Sequence, residues 1–184
     1  MLYKTHLTTS AAIAIPTLAV VNELSVVTVL GVAIGSLLPD IDTPKSFVGR
    51  RLYPIAYIIN KTFGHRGVIH SLVPIILIGG LAIFFKSLFI GTIAFGFFLH
   101  LVEDTFSRKG IKWFAPINDI DIKMPFEFLT YETGSLKEYA ILGIALIIVF
   151  LEIHKGNLVA KSMMEVNSMI SSLNFTSLIN SILH

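Results

Sequence analysis

The chain of 184 residues contains no cysteine and few charged residues, which make up 14% of its length. The absence of cysteine excludes disulfide bonds and thiolate metal ligands, so a metal site would have to use imidazole and carboxylate groups. Those ligands suit zinc, manganese or iron better than a soft metal. The net charge of +2 is too small to indicate nucleic-acid binding.

Hydrophobic residues are abundant instead. They make up 54% of the chain, and the mean hydropathy is +0.78. This composition is typical of integral membrane proteins, and the length suits one domain. We predict an all-α integral membrane protein with about five apolar helices, some of them short. The apolar segments are residues 7–21, 25–38, 67–85, 88–106 and 139–153.

The five apolar segments differ in length. A full membrane span needs about 20 apolar residues, and segments 67–85 and 88–106 meet this requirement. The other three contain about 15 residues and would be tilted, partly buried or re-entrant. The first segment follows a start whose only basic residue is Lys4, which argues against a cleaved signal peptide.

Ionisable residues recur at the ends of these segments, where contact with lipid makes them costly and therefore candidates for function. If all five segments cross the membrane, these residues lie on one side. That side also carries every Lys and Arg except Lys86, Lys155 and Lys161, which places it in the cytoplasm by the positive-inside rule. Seven of these residues are candidate metal ligands: His6, Asp40, Asp42, His65, His70, His100 and Asp104.

Two stretches between the apolar segments have mixed composition. Residues 42–64 combine basic and aromatic residues and resemble an interfacial segment lying on the membrane. Residues 109–134 are expected to form an ordered loop or small hairpin over the candidate ligands. We expect a membrane-embedded domain at 1–155 and an amphipathic tail at 156–184. Apolar residues recur in the tail at helical spacing, at Met163, Val166, Ile170 and Leu173.

His100 and Asp104 end the fourth apolar segment. Residues four apart share one face of a helix, so the two side chains can bind one ion or each other. Glu103 would then point elsewhere, towards water or a basic neighbour. The alternative to a metal site is a structural His–Asp pair.

His65, Arg66 and His70 lie where the third apolar segment begins. Five residues of α-helix turn through about 140°, so both imidazoles face one centre only if His65 precedes the helix. Arg66 offers a planar, charged fork for a phosphate or carboxylate. The alternatives are an interfacial histidine at His65 and a cytoplasmic-side anchor at Arg66.

Asp40 and Asp42 follow Pro39, which ends the second apolar helix. Alternate residues of an extended chain point in opposite directions, so the two carboxylates share a site only if the chain turns after Pro39. Taken alone, the pair is typical of an ordinary solvated turn.

Together the motifs resemble those of the LexA-regulated, membrane-bound metal-dependent hydrolases of bacteria and archaea. The resemblance covers residues 1–120. The order of His and Asp is also distantly similar to that in zinc-dependent phospholipase C and P1 nuclease, helical enzymes that cleave phosphodiesters at a multi-metal centre. The matching elements are His6, Leu-Pro-Asp40-Ile-Asp42, His65-Arg66-Gly-x-x-His70-Ser71, and His100-x-x-x-Asp104 followed by a turn at 110–116.

We therefore expect a membrane-bound metal-dependent hydrolase that cleaves a phosphoester of a lipid or lipid-linked substrate. Seven ligands exceed the needs of one ion and suit two divalent ions, with zinc the first choice and manganese or iron the alternatives. One of Asp40, Asp42 and Asp104 would bridge the ions, an uncoordinated Asp would accept a proton from water, and Arg66 would stabilise phosphoryl charge. The expected partners are membrane lipid and the substrate, and an oligomer is left open.

Two other functions fit the same residues. A cation transporter or channel would explain ionisable groups near lipid, although transport sites usually lie near the membrane midplane. A non-catalytic membrane protein with a structural metal would explain the ligands without a reaction.

Overall fold

The computed structural model describes residues 1–64 and 66–156, together with positions 164, 166 and 168. Within these residues the chain is helical, and two isolated bridges are its only β-type pairing, so the all-α prediction is confirmed. Three 3₁₀ turns, at Pro39–Asp42, Val68–His70 and Glu127–Leu129, connect the helices. The α-helices are α1 (Tyr3–Val20), α2 (Val26–Leu37), α3 (Phe47–Arg51), α4 (Tyr53–Phe63), α5 (Leu72–Phe84), α6 (Leu88–Thr105) and α7 (Leu136–His154).

The centre of the bundle is the contact between α2 and α6. Successive residues of the two helices meet in the same order, so the helices run parallel. Gly31 and Gly35 lie one turn apart on α2, and a Cβ atom at Gly35 would lie 2.0 Å from the carbonyl oxygen of Ile93. A Cβ atom at Gly96 of α6 would lie 2.1 Å from the carbonyl oxygen of Val32. Glycines at this spacing therefore bring the two backbones into direct contact.

The outer surface of the bundle is apolar. α5 buries none of its residues, and Ile76, Ile83 and Phe84 are each more than half exposed. α7 exposes Ile147 and Phe150 to a similar degree. Soluble proteins rarely leave contiguous apolar surface of this extent in water, so the exterior is suited to lipid.

Length and composition identify α6, with 18 residues, as the one helix in the described part of the chain that could cross a membrane. The prediction that residues 67–85 form a full span is wrong. Gly67 and the 3₁₀ turn Val68–His70 delay the start of the helix, so α5 has only 13 residues and a length of about 20 Å. Five full spans are therefore not supported, and the cytoplasmic placement of the ligands stays a prediction.

The polar-aromatic stretch at 42–64 forms the short helices α3 and α4. Ser46 caps α3 by accepting the backbone amide of Gly49, and its hydroxyl donates to the carbonyl oxygen of Asp40 at 2.7 Å. α4 buries only Ala56 and has one basic residue, Lys61, and several apolar residues on its surface, as expected for an interfacial segment.

Residues 109–134 form a loop that is attached to the ends of α5 and α6. An antiparallel bridge joins Ile111 and Ile122, which matches the expected small hairpin. The carbonyl oxygen of Trp113 accepts the backbone amide of Leu72, at the start of α5.

Five helix ends meet at one end of the bundle: the N-termini of α1, α5 and α7 and the C-termini of α2 and α6. Residues far apart in sequence therefore come together there. The predicted tail helix lies outside the described residues except at positions 164, 166 and 168. The division of the chain at residue 155 thus stays a prediction.

Candidate metal centre

His100 lies near the C-terminal end of α6 and faces α2. Its Nδ1 donates to the carbonyl oxygen of Ser36 at 2.7 Å. Because a carbonyl oxygen only accepts hydrogen bonds, Nδ1 carries the proton and the lone pair of the neutral ring lies on Nε2. The ring is fully buried, and Nε2 has no hydrogen-bond partner among the described residues. A buried lone pair in this situation calls for a ligand such as an ion or a water.

His6 lies in the first turns of α1 and stacks on His100, with 3.9 Å between the ring centroids. Its Nδ1 lies 2.5 Å from Oε2 of Glu103, and the other oxygen of Glu103 accepts the hydroxyl of Ser10 at 2.9 Å. Of the two predicted surroundings of Glu103, water is wrong, because this side chain is buried against α1. Its basic neighbour is His6. Nε2 is the ring nitrogen of His6 that remains for an ion.

His70 lies in the 3₁₀ turn before α5. Its Nδ1 lies 2.7 Å from Oδ2 of Asp42, which also accepts the backbone amide of Arg66 at 2.9 Å. The other oxygen of Asp42 accepts the hydroxyl of Thr43 at 2.9 Å. These contacts are those of a residue that orients His70. The roles of Asp42 as metal ligand and catalytic carboxylate stay predictions.

The three histidines direct Nε2 towards one carboxylate, that of Asp104. The Nε2 atoms of His6, His70 and His100 lie 3.5, 3.9 and 4.0 Å from an oxygen of Asp104. The ligand atoms around a tetrahedral zinc ion lie about 3.3 Å apart, so this spacing is close to that of a metal site. Proteins orient metal-binding histidines by giving the other ring nitrogen a carboxylate or carbonyl partner. The donors and their surroundings therefore fit a divalent metal ion.

Two groups of three residues could each hold an ion, because the ligand atoms within each group lie within 4.8 Å of one another. One contains His6, His100 and Asp104, and the other contains Asp40, His70 and His100. Both groups use His100, whose single Nε2 lone pair can serve one ion. The described residues therefore complete one three-ligand site at a time. His65 lies outside the described residues, so its predicted role as a ligand is not tested, and the second ion stays a prediction.

Arg66 holds Asp104 in place. Its Nη2 donates to Oδ2 of Asp104 at 2.6 Å, and its Nη1 donates to the hydroxyl of Ser107 and the carbonyl oxygen of Gly110. A guanidinium in such charge-assisted contacts orients the carboxylate and balances its charge. Nε is the nitrogen of Arg66 that lacks a partner among the described residues. A phosphate contact by Arg66 stays a prediction.

Burial raises the pKa values of two groups at this end of the bundle, Asp40 and Tyr131. It raises the pKa of the Asp40 carboxyl, although the nearby imidazoles of His6 and His70 act in the opposite direction. An ionised Asp40 is thus favoured by a cation close by. Burial also raises the pKa of the Tyr131 hydroxyl, which keeps its proton and donates to the carbonyl oxygen of Glu103 at 2.9 Å.

The groups that orient the ligands were not predicted from the sequence. A backbone carbonyl, as at Ser36, cannot be recognised from residue type. Tyr131 lies in a loop 27 residues beyond Asp104, to which its hydroxyl is 3.4 Å away. A signal did exist for Glu103, because His6 and Ser10 lie four apart on one face of α1 and share its carboxylate.

Replacing Glu103 with leucine removes the acceptor of the His6 Nδ1 proton. We expect the affinity for a divalent ion to fall by about 10- to 100-fold, measured by competition with a chromogenic chelator. Glu103→Gln should lose less, because its amide oxygen can still accept that proton. Glu132→Leu, at an exposed position paired with Arg108, is the control. Equal affinity in Glu103→Leu and the control would contradict the orienting role.

A pocket of about 350 Å³ opens beside the ligands. Asp40, Arg66 and Asp104 line it, so the carboxylates of the candidate metal centre can be reached from outside the bundle. Lys45 and Arg50 contribute positive charge to the same pocket.

Comparison with known proteins agrees with a membrane location. Residues 1–167 match the sequence profile of the family described as YdjM inner membrane protein. The uncharacterized protein YvsG of Bacillus subtilis (strain 168) is 30% identical over 117 residues, which cover 60% of this chain and 68% of that relative. Inner membrane protein YdjM of Escherichia coli (strain K12) is 38% identical over 89 residues, 44% of each chain, and the Shigella flexneri protein of the same name gives the same values. No solved structure matches the chain. The extent of the profile match shows that this chain belongs to the YdjM inner membrane protein family.

Proposed function

We propose that this protein is a membrane-bound metal-dependent hydrolase that cleaves a phosphoester of a lipid or lipid-linked substrate. The observation that carries the proposal is the approach of three imidazole Nε2 atoms to the carboxylate of Asp104. In each ring the Nδ1 atom already has an acceptor. Histidines held in this way are typical of metal ligands.

In this proposal, different residues would bind the metal, accept a proton and position a ligand. His6, His70, His100 and Asp104 would hold one or two divalent ions, with zinc the first choice for nitrogen and oxygen ligands. When bound, such an ion acidifies water and polarises a phosphoryl oxygen. Asp40, which lines the pocket beside this group, would accept a proton from water. Arg66 would keep Asp104 in position throughout.

A phosphoester is the proposed substrate for two reasons. The distant likeness of the His and Asp order to zinc-dependent phospholipase C and P1 nuclease favours this bond. The pocket beside the ligands also carries lysine and arginine side chains, which suit an anionic group. An apolar exterior and a membrane location favour a substrate drawn from the lipid.

Metal content tests the first half of the proposal. Protein purified in detergent without added metal should contain at least one divalent ion per chain by elemental analysis. A ratio near two would support a second ion, with Asp40 and His70 as candidate ligands in the described residues. Protein that neither contains nor takes up a divalent ion would contradict the proposal.

Hydrolysis tests the second half. His70→Ala should abolish metal-dependent release of phosphate or alcohol from phosphoester lipids, because it removes one of the three inward-facing imidazoles. His154→Ala is the matched control, since His154 is exposed at the C-terminal end of α7, away from the metal centre. Equal turnover in both variants would rule out a catalytic centre at His70.

A structural metal is the second candidate, and the burial of the ligands favours it. His6, His70 and His100 are all at most 1% exposed, as in closed structural sites. In that case chelation would lower the melting temperature, and no phosphoester would be turned over at any metal concentration. A cation pathway has less support, because the ligands gather at helix ends rather than midway along α6.

A further inference from the structure

We infer that the pocket beside the metal centre binds the anionic phosphate headgroup of a membrane lipid, with Lys45 and Arg50 as the residues that determine this specificity. The inference rests on the proposed function, because it concerns the substrate of the same site. The metal ligands do not explain how the substrate is recognised before its bond is broken, and Lys45 and Arg50 would supply that recognition.

The charges that line the pocket favour an anion. Asp40 and Asp104 belong to the metal-ligand groups, and the two terminal nitrogens of Arg66 already have partners. Lys45 and Arg50 are different, because they are exposed and form no ion pair with a residue in the described part of the chain. Among the described residues, the guanidinium of Arg50 contacts one partner, through Nε, which donates to the carbonyl oxygen of Ser46. Its terminal nitrogens remain for the two oxygens of a phosphate.

The position of α3 ties these cations to the metal centre. The hydroxyl of Ser46, which caps α3, donates to the carbonyl oxygen of Asp40 at 2.7 Å. A Cβ atom at Gly49 would lie 2.0 Å from the carbonyl oxygen of Thr43, so the helix is packed closely on the chain that follows Asp42. The backbone of α3, which carries Arg50, is therefore held close to the chain segment that contains Asp40.

The surface next to the pocket favours a lipid over a soluble phosphate. α4 follows α3 directly, and Tyr53, Ile55, Tyr57 and Ile58 on it are each more than half exposed. Asn60 anchors this helix by donating to the carbonyl oxygen of Asp42 at 2.7 Å. An amphipathic helix with apolar and basic residues rests in the interface between lipid headgroups and acyl chains. The pocket mouth then lies at the depth of the phosphate groups.

Arg51 provides an internal contrast. It follows Arg50 on the same short helix but does not line the pocket. Its guanidinium lies 3.7 Å from the ring centroid of Phe47, and its Nη1 donates to the carbonyl oxygen of that residue. Arg50→Gln and Arg51→Gln therefore make the same change of charge one residue apart, and only Arg50 lines the pocket.

Binding and turnover of short-chain lipids test the inference. The probes are dihexanoyl phosphatidic acid, dihexanoyl phosphatidylcholine and inorganic phosphate, titrated calorimetrically into the full chain in detergent, with and without EDTA. We expect wild-type protein to bind the anionic lipid more tightly than the other two probes. Arg50→Gln should weaken this binding about tenfold, while Arg51→Gln leaves it unchanged. Lys45→Gln should act in the same direction as Arg50→Gln, with Lys61→Gln on α4 as its control.

The possible failures are distinguishable. Equal binding in Arg50→Gln and Arg51→Gln would overturn the headgroup site, even if both variants hydrolyse lipid. Inorganic phosphate bound as tightly as the lipid would overturn the choice of a lipid. Binding that depends on Arg50 without any turnover would contradict the proposed hydrolase and leave the headgroup site standing.

Discussion

Replacing Asp104 with asparagine is expected to lower the affinity for a divalent ion by at least about a hundredfold and to abolish metal-dependent hydrolysis. The carboxylate of Asp104 lies within 4.0 Å of the Nε2 atoms of all three inward-facing histidines. Loss of a group that only orients a ligand costs about 10- to 100-fold in affinity, and loss of a ligand should cost at least as much. Asparagine has nearly the same shape but no charge.

Metal affinity and turnover are measured separately in this experiment. The control is Asp119→Asn, at an exposed position in the loop after α6, where the side chain faces only Lys112. Asp104→Asn also removes the charge that Arg66 faces, so a circular dichroism spectrum must first show that the helices remain. A folded Asp104→Asn protein with wild-type metal affinity would contradict the assignment of the metal centre.

Replacing Gly35 with alanine is expected to have the second-largest effect. The new Cβ atom would lie 2.0 Å from the carbonyl oxygen of Ile93, so α2 and α6 must separate. Forcing an extra methyl group into a packed interface costs about 1–3 kcal/mol. Ser36 is the next residue, and its carbonyl oxygen holds His100, so metal affinity should fall together with stability.

The matched control for Gly35 is Gly80, which also lies inside a helix. A Cβ atom at Gly80 meets nothing within 4 Å. Because alanine favours helix by about 1 kcal/mol over glycine, Gly80→Ala should be neutral or slightly stabilising. The readouts are the thermal midpoint in detergent and the metal affinity. Equal values for the two variants would show that the close approach of α2 and α6 is not required.

The helices were predictable because their signals are local. Apolar runs interrupted by Asn22, Pro39 and Ser87 place the helices to within a few residues. For the third apolar run, residues 67–85, composition did not predict where the helix begins. Residues 67–71 are mostly apolar or small, yet they form a turn that brings His70 to the ligands, so the helix is shorter than the run. Local hydropathy does not distinguish these two outcomes.

The candidate site was predictable in part. His6, His70, His100 and Asp104 were expected from the cost of ionisable groups near lipid, and the structure brings these four together. Asp40 joins them because the chain turns after Pro39. The presence of an ion and the reaction remain predictions, and so do the roles of Asp42 and His65.

Residue types and their spacing were sufficient for the helical class, the membrane environment and the main candidate ligands, since each depends on a few neighbouring residues. Only the tertiary structure showed which residues are candidate ligands and which residues orient those ligands. Glu103 faces His6 rather than water, and the carbonyl oxygen of Ser36 reaches His100, because close helix packing decides which groups meet. Such contacts join residues 64 to 97 positions apart, so spacing along one helix cannot identify the partner on another element.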